Sequence, residues 1–417
     1  MDIRFDTKYV DKYVSEEDIE KTIESFSCTI SSCLNGSLGL QNALGWKNVS
    51  DNTSELYAYK KIAEEIRSED GVLLVVGVGG SNRSAQALIE GLHENNGRII
   101  YLGNNFSVKY VKDTLDSLKD RSVFVDIIAK DFHTVEPGIA FRYLREYLKN
   151  RYGNDYNRRV ILTGSYGEEQ LYTIAEKEGF RFFEFPQKVG GRFSAFTSVS
   201  LLPMAVAGLD VDLFVQSAID CQNELENMPL KENPSVRYAV VRYLLQKKGF
   251  LVENLAYFEP YLEYFARWWL QLHGESEGKT ESAVLPYMTS FSEDLHAIGQ
   301  YIQQGRRFIA ETFLNMRFAD DFKIPSTDFD DGFSYLDGKN FSAINTAVYN
   351  GTLKAHYDGG IPVMQFVCGA PSERTLAEIM YVNMLSTYLS SALIGVEPFD
   401  QPGVEGYKKN MYKELGK

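Results

Sequence analysis

The sequence predicts an α/β fold in which parallel sheets are covered on both faces by helices. Three observations carry that expectation. Between Gly71 and Phe185 short apolar runs alternate with segments of helical period; a glycine-rich turn directly follows the first run; and strand-like runs return in the second half of the chain. Parallel strands buried on both faces read as continuous apolar runs, and each needs a crossover, usually a helix, to reach the next.

Val72–Val76 is the first run, and GVGGS leads from it into a helical pattern through Ala85, Leu88 and Leu92. Arg98–Leu102, Val123–Ile128, Val160–Thr163 and Arg181–Phe185 follow as strands. Helices are expected near Val108–Leu118, from Glu136 to about Leu148, and over Glu168–Lys177. Ligands of such sheets sit at the carboxyl ends of the strands, so the loops after Val76, Ile128 and Phe185 are where chemistry is expected. Helix predominates from about Ala195 to Leu314. Within it Val284–Tyr287 reads as a strand, although Pro286 cannot donate to a central ladder. Phe308–Phe313 fits a strand or a helix end, and Val363–Cys368 fits a strand. Asp320–Asn345, rich in Asp, Gly and Ser, reads as loop. Apolar residues at Leu376, Ile379, Met380, Val382, Leu385, Leu389 and Leu393 predict a buried helix capped by Ser372 and ended by Gly395. The expected division is an N-terminal helical segment over 1–45, α/β domains over 46–200 and 201–395, and a C-terminal arm over 396–417 that carries Lys408.

With 417 residues, the chain has room for two domains of ordinary size. No window approaches the ~18–20 uninterrupted apolar residues of a membrane helix, so no membrane partner is expected. The start, MDIRFDTKYVDKYVSEEDIEK, is charged and lacks an apolar signal core. Cys28, Cys33, Cys221 and Cys368 show neither metal spacing nor disulfide density and read as reduced thiols of a cytoplasmic protein. A net charge of −14 argues against nucleic acid as the main partner. It leaves room for a small anion held by a local pocket.

GVGGSNRS, at Gly77–Ser84, joins a strand to a helix and offers an anion backbone amides and a helix N-terminus at Gly80 and Ser81. It fits a plain tight connection equally well. Asn82 stands where a dinucleotide-binding turn needs its third glycine, and no acid ends the second strand, which argues against a nicotinamide enzyme. VGGRFS places Arg192 after two glycines; alone, it also reads as a surface arginine past a turn. GESEGK puts Glu275 and Glu277 in a glycine-bounded segment after YFARWWLQL, where a partly desolvated carboxylate could serve as a base or simply cap a helix. His296 in EDLHAIGQ fits a core histidine, and Lys408 a solvated lysine. The histidines are dispersed, and no metal site is expected.

Together these segments resemble the phosphoglucose isomerase family in its shorter bacterial form, from about Leu40 to Lys417. Three blocks are specific: VGGRFSAFTSVSLLPMAVAGLD, GESEGK followed by DLHAIGQYIQQGRR, and GVEPFDQPGVEGYKKNM. The resemblance implies two doubly wound sugar-isomerase domains, no cofactor, and a homodimer in which His296 reaches the neighbouring subunit's site. It implies an aldose–ketose isomerase acting through a cis-enediol on a hexose with a 6-anionic group. In that reading Glu275 looks like the base between carbon-2 and carbon-1, and Arg192 like the cation beside the enediolate. His296 and Lys408 look like the ring-opening pair, Gln271 and Gln401 like sugar contacts, and Glu136 like a further pocket carboxylate. A sugar-binding protein without turnover is the alternative of another class.

The anion loop departs from the family pattern of hydroxyl donors. It reads Ala129-Lys130-Asp131-Phe132-His133-Thr134-Val135-Glu136, and Arg83-Ser84 replaces the Leu-Gly usual after the first turn. Thr134 and Ser81 are the remaining hydroxyls. A carboxylate ~4 Å from a second negative charge costs about 4 kcal/mol at an effective dielectric of ~20. Arg83, Lys130 and His133 are placed to offset it. A 6-sulfonate carries one charge and lacks the bridging ester oxygen, so the loop favours sulfoquinovose to sulfofructose, with ordinary glucose 6-phosphate to fructose 6-phosphate as the alternative.

Overall fold

The computed structural model describes residues 1–417 except Asp131, Glu168 and Glu169, and except the side chain of Gln41. Two five-stranded sheets organise the chain. The first is wholly parallel, built from β2 (Val72–Val76), β3 (Ile99–Leu102), β4 (Val123–Ile128), β5 (Val160–Gly164) and β6 (Arg181–Glu184), in the order β3-β2-β4-β5-β6. The second joins β1 (Ile3–Tyr9), β7 (Val252–Tyr257), β8 (Leu285–Ser290), β9 (Ile309–Asn315) and β10 (Val363–Cys368), in the order β1-β10-β9-β7-β8. Here β10, β9, β7 and β8 are parallel, and β1 runs antiparallel along β10.

The apolar runs became the strands of the first sheet because burial covers both their faces: every residue of β2, β4 and β5 is buried. The crossover helices Gly80–Gly91, Val108–Ser117, Val135–Tyr152 and Gln170–Glu178 follow the expected order, with the expected start at Glu168 lying outside the described residues. Helix Glu373–Ile394 is buried almost throughout, as expected. Ser372 caps it by accepting the Thr375 N–H, and Gly395 ends it at φ 74°.

Three expectations need correction. The N-terminal segment carries helices Glu16–Ser25 and Ser27–Leu34 but opens on β1, whose Ile3 and Phe5 face the core between exposed Arg4 and half-buried Asp6. The helix-rich middle conceals β7, because Glu253 and Asn254 interrupt its apolar run. Of the two readings of Phe308–Phe313, the strand holds, as Ile309–Asn315. The loop reading of Asp320–Asn345 fails at its end, where helix Phe341–Asp358 begins. Pro286 is compatible with β8 because that strand lies at the sheet's edge, where a missing N–H breaks no central ladder.

Candidate active site

At the end of β2 the chain must turn sharply into helix Gly80–Gly91, and two glycines permit it. Gly79 has φ 56°, and a Cβ there would lie 2.8 Å from the Gln271 amide. A Cβ on Gly80 would sit 2.1 Å from the carbonyl carbon of Gly191. Gly80 is therefore the floor on which the turn Gly191–Phe193 rests, and Ser194 seals the contact by donating from Oγ to the Gly80 carbonyl.

That turn aims Arg192 inward. Its side chain is only 2% exposed, and its guanidinium donates to four acceptors: the Glu275 carboxylate at 3.1 Å, the Ser276 hydroxyl at 3.2 Å, and the carbonyls of Pro398 at 3.1 Å and Asp400 at 2.9 Å. Burial draws the guanidinium pKa down, opposed by Glu275, Asp400 and Glu397. Glu275 lies on helix Glu263–Glu277. Gln271, one turn earlier, donates to its other carboxylate oxygen at 3.2 Å. The Glu275 side chain remains 32% exposed. It is a carboxylate clamped on both oxygens yet open to the cleft. The Gln271 carbonyl oxygen is buried with no protein donor among the described residues.

The two carboxylates of GESEGK separate completely. Glu277 is buried and takes a bidentate pair from Arg242 at 2.7 and 2.8 Å. Burial alone would raise its pKa, but Arg242 and His273 prevail and hold it at about 2. Lys279 grasps the Glu397 carbonyl and the Asp400 carboxylate, so Arg192 and Lys279 together pin the strap Glu397–Asp400 beside the site. Ser276 and Lys279 were missed as contributors, although both lie within or beside the carboxylate motif; their partners lie more than 80 residues away.

The remaining expected residues lie on the rim. The adjacent parallel strands β2 and β4 each deliver a helix N-terminus to one crevice, at Gly80 and at Val135. Thr134 is the N-cap residue of the second helix, and Glu136 is half-buried in its first turn. Ser81 and Arg83 are half-buried in the first turn of the other helix; burial, with nearby Arg267, lowers the Arg83 pKa. Ser84 faces away, in a buried hydrogen bond with Ser200. Lys130 donates to the carbonyls of Gln187 and Val189, holding the approach to Arg192 rather than standing open. His133 is exposed, and its carbonyl accepts from Tyr412 on helix Glu405–Glu414, docking the C-terminal arm on the anion loop. Asp131, on which the charge argument leaned, lies outside the described residues. Gln401 is exposed where the strap ends. His296 is exposed on the turn Glu293–His296 after β8, and Lys408 is half-buried and paired with Glu405 at 2.8 Å. Thus Arg192, Glu275, Gln271 and the Gly79–Gly80 turn converge, whereas among the described residues no hydrogen bond ties His296 or Lys408 to them.

The phosphoglucose isomerase family model matches residues 63–417. Glucose-6-phosphate isomerase of Bacillus cytotoxicus is 41% identical over 390 residues, covering 90% of this chain and 87% of that one. The Clostridioides difficile protein of the same name is 38% identical and covers 100% of this chain and 96% of its own. A crystal structure of a Thermus thermophilus protein superposes with a TM-score of 0.92 at 26% identity over the full length of both chains. The glucose-6-phosphate isomerase of Chlamydia trachomatis, at 15% identity, shares the fold, with a TM-score of 0.81 over 96% of this chain and 86% of that one. On the match over most of its length, this chain belongs to the phosphoglucose isomerase family and is an aldose–ketose isomerase.

Proposed function

We propose that the chain interconverts glucose 6-phosphate and fructose 6-phosphate, with Glu275 carrying the proton between carbon-2 and carbon-1 through a cis-enediol. One observation carries this reading: the Glu275 carboxylate is held between Arg192 at 3.1 Å and Gln271 at 3.2 Å, with one side open to the cleft. A proton alpha to a sugar carbonyl leaves only if the charge appearing on oxygen is stabilised, and a fixed guanidinium supplies a field that needs no reorganisation. The sugar's distal anion lies at the β2–β4 crevice, where two helix N-termini offer backbone amides and partial positive charge. That arrangement suits a phosphate even where Ala129 brings no hydroxyl. Phosphate therefore takes precedence over the sulfonate that the loop favoured, since the relatives at 38–41% identity are named for glucose 6-phosphate.

His296 and Lys408 serve ring opening in this reading. The exposure of His296 suits a residue that completes a partner subunit's site in a homodimer, and the four free cysteines suit a reducing cytoplasm. The deciding experiment compares kcat/KM for the 6-phosphate and 6-sulfonate hexoses, with Glu275→Gln as control. Phosphate is expected to win. Glu275→Gln should lose roughly 10²–10⁴-fold in turnover, the contribution of a placed general base, while still binding sugar phosphate. A sulfonate preference reverses the substrate assignment, and near-normal turnover of the variant removes Glu275 from its role.

A further inference from the structure

Arg192 has almost no donor to spare, and the way its donors are spent locates the substrate's oxygen. A guanidinium carries five N–H groups in a rigid fork. Nε donates to Ser276, and Nη2 donates to the carbonyls of both Pro398 and Asp400. Nη1 donates to Glu275, which leaves one N–H over, on that same nitrogen. The free donor therefore lies beside the carboxylate proposed to move the proton. It stays there only while the strap keeps Nη2 occupied, because a released strap lets the planar fork turn and point a different N–H at the cleft.

Backbone carbonyls are placed only as firmly as the chain that carries them. The strap Glu397–Asp400 belongs to no helix or strand. Phe399 anchors it from one side, packing on Phe193, the neighbour of Arg192, and on Tyr388, with ring centroids 5.2 and 5.7 Å away. Lys279 anchors it from the other. It stands just past the end of helix Glu263–Glu277, and its ammonium donates to the Glu397 carbonyl and, at 2.5 Å, to the Asp400 carboxylate. The Lys279 side chain is 13% exposed, against 55% for Asp400. Asp400 thus serves both cations, its carboxylate facing Lys279 and its carbonyl facing Arg192. The contacts close a ring: Glu275 to Arg192, Arg192 to the strap, the strap to Lys279, and Lys279 back along the chain to Glu275. Base and cation are held in register by a residue whose hydrogen bonds go to neither.

We propose that Lys279 is a positioning residue of the isomerase: through Asp400 and the strap it holds the free Nη1 hydrogen of Arg192 where negative charge appears on the substrate. This role rests on the reading of Glu275 as the base and Arg192 as its cation. The test uses the full chain and two phosphate-bearing ligands. Glucitol 6-phosphate is an open-chain alcohol with no charge at its first two carbons; a five-carbon sugar hydroxamate with a terminal phosphate carries a planar anion that imitates the enediolate. Lys279→Met should lower kcat by roughly 10²-fold, the loss expected of a ~1 Å misplacement, and weaken the hydroxamate by a similar factor, while changing glucitol 6-phosphate binding by less than about threefold. Asp400→Asn, at an exposed side chain, should show the same pattern with a smaller loss, and the two changes together should cost less than the product of their separate effects. Equal weakening of both ligands, full additivity, or an unchanged kcat in both variants overturns the proposal. Should Lys279→Met fail to fold, read as a collapsed urea midpoint, Asp400→Asn decides alone, and unaltered hydroxamate binding overturns it. Glu275→Gln, assayed alongside, separates the two readings. If it keeps its turnover, the base assignment fails; if it is inactive while the Lys279 and Asp400 variants behave normally, only the role of Lys279 fails.

Discussion

The two sheets solve the burial of backbone in opposite ways. The first is an apolar slab: β2 reads VLLVV, and the one buried carboxylate in β4, Asp126, has a single donor in Thr163 at 2.9 Å and a second oxygen without a partner among the described residues. The second sheet is threaded by a polar network. Glu253 accepts from Tyr238, Arg242 and Thr312. Asn254 ties Thr289 to Glu311, and Glu311 meets His356 at 2.6 Å. Arg242 then continues to Glu277, two residues beyond the proposed base. Isolated buried charge is unfavourable, so a network of this kind requires nearly every member to be satisfied. The first sheet has only a packing requirement, whereas the second also holds the end of the catalytic helix in place.

The sharpest way to break this contrast is Arg242→Met. It strands Glu253 and Glu277 without their cation, and the expected loss is ~3–5 kcal/mol, read as a lowered urea midpoint. A loss near zero would mean that the network is ornamental. Next is the seam between the halves. Gly80→Ala drives a methyl into the Gly191 carbonyl, which should cost about 1–3 kcal/mol in overpacking. A shift of Arg192 by about 1 Å should add roughly a 10²-fold loss of kcat/KM. Retained activity with retained stability would show that the turn is not held against the helix as described.

The narrowest test, confined to a pH window, concerns Asp126. Burial pushes its pKa to about 7, with Thr163 only partly opposing this, whereas in an unfolded chain an aspartate ionises near ~3.9. The folded value is the higher one. The contribution is therefore fully present below pH ~3.9 and is lost as pH rises through about 7. Asp126→Asn removes that slope. Between about pH 4 and 8 the variant should lose less stability than the unaltered protein in chemical unfolding, by up to roughly 4 kcal/mol. Parallel pH profiles would place the titration elsewhere.

The same contrast explains what the sequence disclosed. The strands of the first sheet were legible because uninterrupted apolar runs are their signature. β7 was not, since its buried Glu253 and Asn254 are paired by residues elsewhere in the chain. β1 carried a readable alternation, Ile3 and Phe5 inward against Arg4 outward, but its charge was read only as the absence of a signal core. In the site, Arg192 and Glu275 were singled out by local motifs, and Gln271 only by the family resemblance. The strap pinned by Lys279 was not, because position 279 and position 400 become neighbours only in the fold. The partners of Lys130 and Ser84 likewise are carbonyls and a hydroxyl that local spacing does not reveal.

The antiparallel pairing of Ile3 with Cys368 also sets a timetable for biosynthesis. β1 must wait for a partner made 365 residues later in the chain, roughly 20–70 s at ordinary elongation rates of ~5–20 residues per second. During that interval the sheet formed by β2 to β6 can close, because all its strands are already made. Until then β1 leaves its Ile3 and Phe5 uncovered and its backbone edge unpaired, which makes it a natural handle for a chaperone.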